Sequence, residues 1–104
     1  MTNRERLPNR REHETVRFEF RGRIYFAGVG RFDDGRPAEL FIDPRKAWAD
    51  ATADARDAAV AASIALQFGA PVEVLRDAHT RNESGQAAGV LGAALDALAD
   101  GVSS

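Results

Sequence analysis

The stretch from Asp33 to Gly69 constrains the fold more than any other part of the chain. It opens with Asp33-Asp34-Gly35, where Asp tolerates unusual backbone geometry and Gly permits positive φ, so a tight hairpin turn is expected. After Pro37, a short run over Ala38–Ile42 reads as a strand, and Asp43-Pro44 stops it. A long alanine-rich passage follows and ends Ser-Ile-Ala-Leu-Gln-Phe-Gly-Ala-Pro. Val60, Ile64 and Phe68 recur there at helical spacing, joined by Ala61 and Leu66, so the passage is expected to be a helix that covers the sheet. Asp50 or Thr52 can cap its start, and Gly69 its end.

Upstream the period is two. Val16, Phe18 and Phe20 fall on one face of a first strand, with Thr15, Arg17, Glu19 and Arg21 on the other. Gly22 supplies a turn, and Arg23–Phe32 returns as a second strand that is apolar or small on both faces, as a central strand should be. Gly28 and Gly30 within it mark a bulge or the close approach of another chain segment. Downstream, Pro71 starts a helix over Val72–Ala78 with Val72 and Leu75 inward. A polar loop, His79–Ala88, then leads to a third helix from about Val90 to Ala99, with Leu91, Leu95 and Leu98 on one stripe.

The expected fold is therefore α+β. A three-stranded antiparallel meander is followed by one long and two shorter helices packed on one face of the sheet, since three bare strands are only marginally stable. Residues 1–13 should form a mobile basic arm, 14–100 a single domain, and 101–104 a frayed tail. A length of 104 residues suffices for one core.

Composition removes several functions. With no cysteine in the chain, a disulfide framework, a thiolate zinc site and a cysteine nucleophile are excluded. No apolar run approaches the roughly 20 residues of a membrane span, and the N-terminus lacks the apolar stretch of a signal peptide, so a cytoplasmic location is expected. Charge is uneven: residues 1–23 carry seven Arg against four Glu, and residues 51–104 three Arg against seven acids. Lys46 is the only lysine, and Arg suits planar contacts with phosphate or carboxylate.

Among candidate site residues, Arg10 and Arg11 of the arm and Arg17 and Arg21 of the first strand can touch phosphate or an acidic partner. Trp48, in the charged passage before the long helix, serves equally as a partner anchor or as a cover folded back on the sheet. His79, Arg81 and Asn82 make the polar loop the most site-like surface, against its plainer reading as a helix connection. Two histidines, His13 and His79, are too few and too far apart for most metal sites, and no metal or other cofactor is expected. Asp33, Asp34, Glu39 and Asp43 lack the ligand ladder of a calcium loop, and turn chemistry explains the first two. Ser63 sits among alanines with no Gly-x-Ser-x-Gly elbow, so helix packing accounts for it.

Three segments carry a family resemblance: Asn9-Arg10-Arg11-Glu12, Gly30–Asp43 and Ala61–Leu75. Together they resemble the TSCPD domain, found near the C-terminus of cobalamin-dependent, class II ribonucleotide reductases and also as short stand-alone proteins. The resemblance runs from about Pro8 to Leu98. It implies the α+β fold above. The whole reductase needs a large barrel with radical-forming and substrate-reducing cysteines, a cobalamin site and a C-terminal cysteine pair, none of which this chain supplies. The implied function is a non-catalytic interaction or accessory module that docks on a protein partner, a reductase or a second copy of itself, with a homodimer the expected form. The alternative is an arginine-mediated nucleic-acid or nucleoprotein binder, of the kind a phage or mobile element uses as an inhibitor. A small hydrolase built on His79 and nearby acids has no motif to support it.

Overall fold

The computed structural model describes residues 3–7, 13–46 and 49–100. Strands β1 (His13–Phe20), β2 (Arg23–Arg31) and β3 (Pro37–Pro44) form an antiparallel sheet in the order β1-β2-β3. Helices α1 (Ala49–Gln67), α2 (Val72–Ala78) and α3 (Val90–Asp100) follow. The architecture is the expected α+β meander with its helical cover.

Two different turns set the register. Arg21 and Gly22 close the first hairpin with φ of 52° and 75°, the pair of positive values that matches the twist of the flanking strands. Arg21 therefore leaves the strand, and the outward face of β1 it was expected to share with Arg17 ends at Glu19. In the second hairpin Gly35 sits at φ 91° and donates its N–H to Phe32 O at 2.9 Å. Asp34 Oδ1 accepts the Arg36 N–H at 3.1 Å. The β2–β3 register slips between Gly30 and Arg31. A Cβ on Gly30 would stand 2.8 Å from Glu39 Cγ, so the glycine makes room for the buried Glu39 side chain.

The sheet's inner face presents Val16, Tyr25, Ala27, Leu40 and Ile42 to Ala55, Ala59 and Ala62 of α1 and Ala94 and Leu95 of α3. Here α1 departs from expectation. Val60, Ile64 and Phe68 are 58%, 38% and 40% exposed, and the buried stripe is Ala55, Ala59, Ala62 and Leu66. Small side chains bring the helix closer to β3 than Val, Ile or Phe would allow, because a packed interior leaves no slack volume.

Close approach lets α1 do a second task. Ser63 Oγ accepts the Leu40 N–H at 2.8 Å and lies 2.8 Å from Ala59 O and 3.2 Å from Leu40 O, either of which can take its proton. Gln67 Nε2 donates to Ala38 O at 3.0 Å. The Leu40 N–H and the Ala38 carbonyl, which β3 would offer to a fourth strand, are thus bonded by a helix instead. Asp50 and Thr52, the expected caps, both lie inside α1, and Thr52 Oγ1 is buried with no hydrogen-bond partner. At the other end Gly69, at φ 100°, donates to Leu66 O and Ala70 to Ala65 O, both at 3.0 Å. This is the paired 5→2 and 6→1 closure that glycine makes possible.

Residues 3–7, expected within a mobile arm, run beside the end of α1. Glu5 donates its N–H to Gln67 O at 2.7 Å, Arg4 Nε donates to Gln67 Oε1, and Arg36 Nη2 reaches both Glu5 carboxylate oxygens at 3.0 Å. On the other side of the core, α2 contributes Val72 and Leu75, and α3 contributes Leu91 and Leu98 around Leu95.

Replacing Ser63 with Ala should leave the Leu40 amide without a partner. A loss of about 1–3 kcal/mol in a urea titration is expected, well above that of Ala61→Ser on the exposed side of the same helix. Gly30→Ala should cost about 1–3 kcal/mol by forcing Glu39 aside, measured in the same way.

Candidate functional site

Of the residues singled out from the sequence, Arg10, Arg11 and Trp48 lie outside the described residues. Arg17 stands exposed on the outer face of β1 opposite Phe26 and forms no ion pair with a described residue. Arg21 Nη2 donates to Ala88 O at 3.2 Å, and its guanidinium carbon lies 5.2 Å from the Phe20 ring centroid. Both contacts are neutral.

The loop between α2 and α3 is internally bonded. His79 ends α2: its N–H donates to Arg76 O at 3.3 Å, and Nδ1–H donates to Leu75 O. Asn82 Oδ1 accepts the N–H groups of Ser84 and Gln86, each at 3.0 Å, and Arg81 pairs with Ala87 in a short antiparallel bridge. His79 Cβ and Ala87 would lie 3.3 Å and 3.2 Å from a Cβ on Gly92, so that glycine lets the loop settle on α3.

The polar hub of this region is Asp96 on α3. Arg81 grips it with Nη1 to Oδ2 at 2.7 Å and Nη2 to Oδ1 at 2.8 Å, and Arg76 Nε adds a bond to Oδ1 at 2.7 Å. Arg81's bonds first, then Arg76's, hold the Asp96 carboxyl well below the usual carboxylate range against the opposing effect of partial burial. The same pairing raises Arg81 above its ordinary value. Asp96 was not singled out in the sequence; its signal was an acid on a helix face otherwise lined by Ala and Leu.

Arg21 and Asn82 do meet, on a cleft of about 660 Å³ that also includes Phe18, Glu19, Asp96 and Asp100. Its acids outnumber its one arginine, which disfavours a phosphate there. Arg31, Arg36, Arg56, Arg76 and Arg81 all form ion pairs with carboxylates at 2.7–3.0 Å. Ser63 spends its hydroxyl on backbone, and no group of three or more His, Asp or Glu suited to a metal ion occurs among the described residues. No helix among them is long and apolar enough to cross a membrane.

A different surface stands out on the far side of α1. Phe41 points outward from β3 and is 44% exposed, its ring 5.9 Å from that of His13. With Val60, Ile64 and Leu7 it lines a groove of about 460 Å³, flanked by Arg4 and the Asp43–Arg56 pair. The groove was legible only in part: Phe41 falls out of phase with Leu40 and Ile42, and Val60 and Ile64 lie one step off the alanine stripe.

This geometry defines an α+β domain whose loop and edge polar groups mostly serve its own fold and whose apolar groove is open. The chain is 40% identical over 77 residues to a vitamin B12-dependent ribonucleotide reductase of Agrobacterium fabrum, covering 74% of this chain and 6% of that protein. It is 36% identical over 80 residues to that of Bradyrhizobium diazoefficiens, covering 77% and 6%, and 39% identical over 82 residues to that of Rhodopirellula baltica, covering 77% and 8%. No family model matches the chain, and no solved structure matches it. The chain is thus related to a short segment of the vitamin B12-dependent ribonucleotide reductases and spans 6–8% of their length.

Because Asp96 titrates below its unfolded value, its ion pairs should stabilise the fold fully above about pH 4 and progressively less as pH falls below that. Asp96→Asn should cost about 1–2 kcal/mol at pH 7, and the gap from the natural chain should narrow at pH 3 when both are unfolded in urea.

Proposed function

We propose that this domain is a non-catalytic interaction module that associates with a second copy of itself, or with a reductase polypeptide, through the groove between β3 and α1. The observation that carries the reading is the contiguous exposure of Phe41, Val60 and Ile64 on a chain whose other large apolar residues mostly line its core. Such a patch, rimmed by the polar Arg4, Asp43 and Arg56, is what a protein interface requires. Edge pairing is a weaker route to a dimer. The β3 edge is bonded by Ser63 and Gln67, and the β1 edge carries Arg17 and Glu19, charges that discourage strand addition.

The alternative, an arginine-mediated nucleic-acid or nucleoprotein binder, draws on Arg17, exposed and without a carboxylate partner among the described residues. Five other arginines, Arg31 of the same sheet among them, are engaged in ion pairs with carboxylates, which lowers the number of phosphate contacts they can supply.

Light scattering on a sizing column tests the first reading. The natural chain should elute with the mass of a dimer, and Val60→Asp or Ile64→Asp, both at exposed positions, should give folded monomers. A monomeric natural chain at high concentration would overturn self-association. DNA or RNA binding that weakens steeply with salt and is lost in Arg17→Glu would favour the alternative.

A further inference from the structure

We propose that the cleft between the β1–β2 turn and the first turn of α3 binds a phosphate group, free or as a phosphomonoester. The cleft is about 490 Å³ and is lined by Arg21, Arg23, Tyr25, Asp54, Gly89 and Val90, among others. It shares no lining residue with the β3–α1 groove, so the inference stands apart from the interaction reading above.

The start of α3 has no protein cap. Gly89 O accepts the Ala93 N–H at 3.1 Å, which makes Gly89 the capping position, and glycine has no side-chain acceptor to offer. The two residues before it are alanines, and the first turn of α3 contains no acid. The N–H groups of Val90 and Leu91 therefore have no acceptor among the described residues, and Gly89 and Val90 line the cleft, with the positive end of the helix dipole behind them.

A helix start alone would not define a site. Tyr25 is the independent observation. It is 4% exposed, stacked on Phe18 with ring centroids 5.4 Å apart, and its hydroxyl makes no hydrogen bond with any described residue. The ring is buried while the hydroxyl is not among the buried atoms left without a partner, so a tyrosine here keeps its polar end at the wall of the cleft. Tyr25 lines the cleft, and the hydroxyl is the polar atom it offers there.

Arg21 supplies the charge. Its side chain is anchored on Ala88 O and the Phe20 ring, neither of which neutralises it, and this holds the guanidinium beside the residue that precedes the cap. Arg23 adds a second guanidinium to the lining, and Asp54 is the opposing carboxylate. Backbone N–H groups, a phenol and a guanidinium lining one cleft suit a tetrahedral oxyanion with several acceptor oxygens better than a single carboxylate.

The test is a titration of the ¹⁵N-labelled chain with inorganic phosphate at constant ionic strength, chloride replacing phosphate in the reference. Saturable shifts at the Val90 and Leu91 amides are expected. Tyr25→Phe should weaken binding about tenfold while leaving the urea midpoint unchanged or higher, because the hydroxyl contributes no bond to the fold. Arg21→Asn, which tolerates the positive φ, should weaken binding and flatten its salt dependence, and Asp54→Asn should tighten it. Val60→Asp should change nothing here, so a failed groove and a failed cleft are told apart. A nucleoside 5′-monophosphate that binds tighter than inorganic phosphate assigns the group to a nucleotide, and equal affinity assigns the site to the phosphate alone. Shifts that do not saturate, or a Tyr25→Phe chain that binds as well as the natural one, would overturn the proposal.

Discussion

The structure depends on one arrangement: α1 bonded along the edge of β3. A three-stranded sheet has two edges and one face to hide, which is much to ask of so short a chain. Here a single helix addresses an edge and a face together. Its alanine stripe lies on the inner face, and the adjacent stripe, one residue further round, brings Ser63 and Gln67 to the β3 backbone. The two stripes require each other. Larger residues in place of Ala55, Ala59 or Ala62 would lift the helix away from the bonds that Ser63 and Gln67 make.

That geometry also accounts for what is left exposed. A helix seated against an edge presents its next stripe beyond the sheet, so Val60 and Ile64 come to lie beside Phe41 on the outward side. The apolar groove is a consequence of how the edge is closed. Elsewhere the domain pairs its charges: the loop after α2 is fastened to α3 by Arg76 and Arg81 on one carboxylate, and residues 3–7 are fastened through Arg36 and Gln67. An arginine-rich composition therefore does not by itself make a phosphate-binding surface here, because Arg31, Arg36, Arg56, Arg76 and Arg81 are paired with carboxylates.

The strands, the three helices and both hairpins were legible because each rests on local signals: alternation in β1, Asp-Asp-Gly before β3, Gly69 and Pro71 between α1 and α2. The inward face of α1 was misread. Size and spacing favoured Val60, Ile64 and Phe68, whereas the sheet accepted alanine because depth of approach, a tertiary quantity, decided the matter. Ser63 and Gln67 stand four apart beside an alanine stripe, and that pairing is a faint signal of an edge-bonding helix. Arg81 and Asn82 stood out as loop polar residues, yet their partners, Asp96 and the amides of Ser84 and Gln86, show them closing the loop on itself. No local pattern encodes which acid an arginine will meet fifteen residues later.

The groove and the cleft divide the domain's surface in a way that bears on its relation to the reductases. The groove is made by β3, α1 and the segment before β1, the cleft by the first hairpin and the start of α3, with α1 reaching it through Ala51 and Asp54. Helix α1 is 19 residues long, close to 30 Å at the usual rise, so its two ends can serve different neighbours. A protein seated against Phe41, Val60 and Ile64 would leave Arg21, Tyr25 and the α3 amides open to solvent. The same fold can then be held by one partner and still offer donors to a second, which is more than a spacer segment of a large enzyme requires.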